Sequence, residues 1–100
     1  MNIAKLRRQT AFVRASKLAV AEAEFIASPL RKYIDARIQK AADEGEGKIS
    51  LNFNYIKQCV LGVRDSGPTI GTVIRHYRNE GFNTRYSGIR HYDRLCISWM

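Results

Sequence analysis

The sequence predicts an α+β fold, with N-terminal helices followed by a small three-stranded antiparallel sheet packed on helices. Three observations carry this. Apolar residues recur at helical spacing through residues 28–45, and the preceding residues are rich in Ala, Lys, Arg and Glu. Strict alternation of apolar and polar residues marks "KISLNFN" as a half-buried strand, and in the closing "RLCISWM" Leu95, Ile97 and Trp99 alternate with Cys96, Ser98 and Met100 as a strand would. The elements do not alternate strand with helix, as a parallel α/β sheet would require.

Residues 2–26 contain neither Gly nor Pro and read as a first helix, with Phe12, Ala15, Ala19, Glu22 and Ile26 as a rough stripe. Ser28 and Pro29 then start a second helix, serine accepting an orphan N–H and proline fitting the first helical position. Leu30, Tyr33, Ile34, Ile38 and Ala41 form its apolar face, and Gly45 supplies the left-handed residue that closes it. In the strand after "EGEG", Ile49, Leu51 and Phe53 point one way. Asn54 is placed to cap a third helix carrying Ile56, Val60 and Val63, which Asp65-Ser66-Gly67-Pro68 breaks. A fourth helix follows, with Ile70, Val73, Ile74 and Tyr77 as its stripe and Gly81-Phe82 folding back at its end. "FNTRY" reads as a strand, residues 87–91 as a loop, and residues 92–99 as the final strand, set between the other two and sending Leu95, Ile97 and Trp99 to the core.

One hundred residues with 45% hydrophobic content support a single core. Within it, residues 1–27 read as a basic helical extension and residues 28–100 as the α+β core domain. No apolar run is long enough for a transmembrane helix and no signal-peptide pattern opens the chain, so the simplest expectation is a cytosolic protein with no membrane partner. Cys59 and Cys96 lie on stretches that read as buried, and no Cys/His spacing fits a metal, so both are expected as core thiols.

The net charge of +8 favours polyanions, and its distribution is uneven. Lys5, Arg7, Arg8, Arg14 and Lys17 are unopposed by any acid in the first twenty residues, and Arg75, Arg78, Arg85 and Arg90 dominate the C-terminal part. These nine are the candidate nucleic-acid or partner-binding residues. No nucleotide-binding, metalloprotease or nucleophile-elbow motif is present. His76 and His91 have no nucleophile at a motif spacing and read as surface or boundary histidines, so neither catalytic residues, metal, cofactor nor small-molecule substrate are expected.

Two resemblances extend over residues 29–100. The order helix, strand, helix, turn, helix, strand, loop, strand resembles the winged helix-turn-helix. That resemblance implies a recognition helix at residues 68–80, with Thr69, Thr72, Arg75, His76 and Asn79 facing bases or phosphates, and a wing at residues 87–91 with Arg85 and Arg90. The segments "KISLNF", "VIRHYRNEGFNTRY" and "LCISW" resemble small uncharacterised proteins of tailed bacteriophages, which implies phage origin. Together these readings give a non-enzymatic phage accessory or structural protein that docks into a virion or nucleoprotein complex, in contact with phage or host protein and with DNA as a possible ligand. The alternatives are a winged-helix DNA-binding regulator and an inhibitor of a host enzyme.

Overall fold

Helix α1 (Ile3–Ile26) starts where the Asn2 side chain accepts hydrogen bonds from the Ala4 and Lys5 amides at 3.0 and 3.3 Å. At 1.5 Å per residue its 24 residues reach about 36 Å, which accounts for much of the 58 Å length of a molecule only 29 × 27 Å across. The computed structural model describes residues 2–62, 67–89 and 92–100, apart from the side chains of Ile89 and Tyr92. Val63, Asp65, Ser66, Arg90 and His91, which the sequence reading assigns to a helix stripe, a breaker and a wing, lie outside the described residues, as does Arg64.

Helix α2 (Pro29–Asp43) begins as expected, with the Ser28 hydroxyl accepting from the Arg31 amide and Pro29 in the first turn. Leu30, Ile34 and Ala41 are its buried positions. Gly45, at φ +83°, closes it, and the following Glu46 amide donates back to the Ala41 carbonyl at 2.8 Å.

Strand β1 (Lys48–Leu51) is shorter than the alternation predicted. Asn52 caps helix α3 (Phe53–Leu61) by accepting from the Tyr55 amide at 3.1 Å, so Asn54 is not the cap. Phe53 is buried as expected, but from a helix. Helix α4 (Ile70–Asn79), by contrast, starts later than expected, because Thr69 is its cap and Pro68 lies outside it. Its end follows the reading: Gly81 has φ +98° and the Phe82 amide donates to the Tyr77 carbonyl at 3.0 Å.

Strands β2 (Asn83–Ile89) and β3 (Tyr92–Ser98) complete an antiparallel sheet of order β1-β3-β2, with β3 in the centre. Ser87, Gly88 and Ile89, expected in a loop, pair with Arg94, Asp93 and Tyr92 and extend the hairpin. The core gathers Ile49, Leu51, Leu95 and Ile97 from the sheet against Leu30 and Ile34 of α2, Ile56 of α3, and Val73 and Tyr77 of α4. Phe25, from the last turn of α1, joins it.

Three expectations about burial need correction. Trp99 is only partly buried, because β3 ends before it; its indole packs edge-on against Phe82, centroids 6.2 Å apart, at the rim of the core. Cys59 is exposed on α3, and Cys96 is half-buried because strand alternation turns it away from Leu95 and Ile97. Neither is a core thiol.

Candidate functional site

Every residue from Asn2 to Val20 is exposed, so Lys5, Arg7, Arg8, Arg14 and Lys17 stand in water on a helix that projects from the body. Ile3, Leu6, Phe12, Val13, Leu18 and Val20 stand there with them, Phe12 at 75% exposure. Phe12 and Ile26, which the expected stripe would bury, are exposed; Phe25, about 100° round the helix from Ile26, is the anchor.

That anchor is built on α4. The Phe25 ring meets His76 and Tyr77 edge-on, at centroid distances of 5.3 and 6.1 Å. One turn earlier, the Glu22 carboxylate lies 3.8 Å from Arg75 Nη2 and 3.6 Å from His76 Nδ1. Arg75 Nη2 also donates to the Leu18 carbonyl at 2.8 Å, holding the chain where the helix leaves the body. His76 is 4% exposed, more buried than the surface or boundary residue expected, and its Nε2 lies 3.3 Å from Glu80 Oε1.

These contacts change the meaning of the α4 residues. Thr72 is 7% exposed and shares a hydrogen bond with the Thr69 hydroxyl, and Thr69 itself serves as the cap. Arg78 donates from Nε to Thr84 Oγ1 at 2.8 Å and from Nη2 to the Thr84 carbonyl at 3.2 Å, which ties α4 to β2. Of the proposed recognition-helix residues, Thr72 and His76 are therefore inside, and Arg75 is committed to α1; Asn79 remains exposed. Burial by α1 was invisible in the sequence because α1 and α4 are far apart along the chain.

Behind α4, the fully buried Tyr77 donates from its hydroxyl to Asp35 Oδ1 at 2.8 Å, while Arg31 Nε lies 3.2 Å from the other carboxylate oxygen. Burial first, and the Asp35 acceptor second, raise the Tyr77 phenol well above the ordinary tyrosine range. Asp93, also buried, accepts from the Asn54 amide at 3.2 and 3.0 Å and from the Tyr86 hydroxyl at 3.2 Å. Its charge thus sits at the N-terminus of α3, where the helix dipole favours it.

Arg85 is exposed on the outward face of the sheet. The predicted residues therefore divide among three places: five along α1, two bound into the α1–α4–β2 junction, and Arg85 on the sheet, with Arg90 outside the described residues. The sequence reading counts Arg94 in the C-terminal basic excess but leaves it and Lys48 out of the candidate set; both share that face with Arg85, since the alternation that sends Ile49 and Leu95 inward sends these two outward.

No helix among the described residues is long and apolar enough to cross a membrane. No protein-family model, curated protein or solved structure matches the chain.

Proposed function

We propose that this is a non-enzymatic binding protein, an accessory or structural component of tailed-phage type, which docks into a larger assembly through α1. The supporting observation is the helix itself. An isolated helix is marginal in water, and most helical stability comes from packing an apolar face; yet among the described residues α1 is anchored only from Leu18 to Phe25 and holds seven large apolar side chains in solvent. So many apolar side chains left in water along one projecting helix suit burial by a partner. Five cations without an acid before Glu22 select an acidic partner surface and disfavour a second copy of α1.

The full-length variant Phe12→Ser/Val13→Ser/Val20→Ser tests this reading. It should keep the stability of the body and lose co-purification with particles or partner proteins; undiminished co-purification would remove the docking role.

The element order α2-β1-α3-α4-β2-β3 favours a second reading, a winged-helix DNA-binding regulator. It needs α4 to reach bases, and the burial of Thr72 and His76 and the internal ties of Arg75 and Arg78 weigh against that. On the docking reading, Arg75→Ala loosens the seat of α1 and leaves the affinity for DNA unchanged.

A further inference from the structure

The outward face of the sheet gathers Lys48, Arg85 and Arg94. Alternation sends Ile49, Leu51, Leu95 and Ile97 into the core and their neighbours out. The register sets Lys48, Ser98 and Asn83 in one cross-strand row, Ser50, Cys96 and Arg85 in the next, and Arg94 beside Ser87 in a third. Next to β1, Arg37 and Lys40 of α2 join Lys48 and Arg94 in lining a cleft of about 780 Å³, whose carboxylates are Glu44 and Glu46. Among the described residues, none of Arg37, Lys40, Lys48, Arg85 and Arg94 is ion-paired, in contrast to Arg31 and Arg75.

We propose that this sheet face and the adjoining cleft bind the sugar–phosphate backbone of a double-stranded nucleic acid, with Lys48, Arg85 and Arg94 contacting phosphates and Arg37 and Lys40 extending the track. The side chains around the cations choose among polyanions. Protein interfaces centre on aromatic or aliphatic anchors, and this face offers Ser50, Ser87, Ser98 and Asn83 instead, which are donors suited to phosphate oxygens. Single strands are held by stacking on aromatic rings, whereas the described neighbours of these cations are Ser50, Ser87, Ser98, Asn83 and Cys96. The geometry also separates this surface from α1. Successive helical residues turn by about 100°, so the cations of α1 radiate in several directions, whereas side chains on one sheet face point the same way.

The proposal does not rest on the docking role of α1, and the two can fail separately. The test uses the full chain and a fluorescently labelled 30-base-pair DNA duplex of arbitrary sequence, read by anisotropy at 50 and 200 mM salt. With about four phosphates contacted, affinity should fall roughly a hundredfold between those salts. Lys48→Gln/Arg85→Gln/Arg94→Gln should weaken binding at least tenfold with the melting temperature unchanged, because all three side chains are exposed. Lys5→Gln/Arg7→Gln/Arg8→Gln removes the same charge from α1 and should weaken it less. A smaller loss in the sheet variant, or an equal or greater loss in the α1 variant, overturns the proposal. So does tighter binding of a single-stranded oligonucleotide, or displacement of the duplex by polyglutamate at equal charge, which would assign the face to an acidic protein.

Discussion

Replacing Tyr77 by phenylalanine removes one oxygen from a ring that is wholly enclosed by Phe25, His76 and Phe82. The ring stays, so no cavity opens, and the loss is confined to the hydrogen bond donated to Asp35. A bond to a charged acceptor contributes about 1.5–3 kcal/mol. Asp35 is 44% exposed, keeps its ion pair with Arg31 and can accept from water, so the net loss belongs nearer to about 1 kcal/mol. For a chain of this size that corresponds to a fall of roughly 4–8 °C in melting temperature at neutral pH. The effect must then shrink in alkali. Because the folded phenol is raised above its unfolded value of about 10, the native state holds a proton that the unfolded state has released. Stability of the native protein therefore declines by about 1.4 kcal/mol per pH unit above pH ~10, and the phenylalanine variant lacks this term. Urea unfolding of both proteins at pH 8 and pH 11 reads the difference directly, since the remaining titrating groups cancel. Near pH 11 the two should be equally stable or reversed in order; a constant gap between pH 8 and 11 would refute the buried, proton-donating Tyr77.

Asp93→Ala should cost about 2–3 kcal/mol in urea unfolding, since it strands the Asn54 amide at the start of α3. Asp93→Asn, which keeps one acceptor oxygen, should cost less. Phe25→Ala should lose about 3–5 kcal/mol and Phe12→Ala less than about 0.5 kcal/mol, because only the first is packed; equal losses would place α1 differently on the body. Gly81→Ala should lose about 1 kcal/mol by thermal melting, from backbone strain at φ +98° alone, as no atom lies near the added methyl group.

The helix and strand periods, the Ser28-Pro29 start and the glycine-closed ends of α2 and α4 were legible because they depend on neighbouring residues. The central place of β3 was legible from its apolar alternation. The exact start of α3 was not, since Asn52 and Asn54 are both competent caps and the choice depends on how far β1 pairs with β3. Nor was the docked side of α1: apolar and basic residues lie all round it, so the partner α4, not the pattern, selects Phe25 over Phe12. His76 and Arg75 looked like surface groups because nothing local indicates that Glu22 will cover them. The basic sheet face was partly legible, and went unread where charges were grouped by position along the chain and not by the side of the strand they occupy.

Strands β1 and β2 never touch each other; each is joined only to β3, which follows both along the chain. A polypeptide leaving the ribosome thus carries two unmated β segments until residues 92–98 emerge to bridge them. Over that interval both could recruit strands from other molecules. Closure joins positions more than forty residues apart, and a rate governed by such distant pairings is slow for so small a protein.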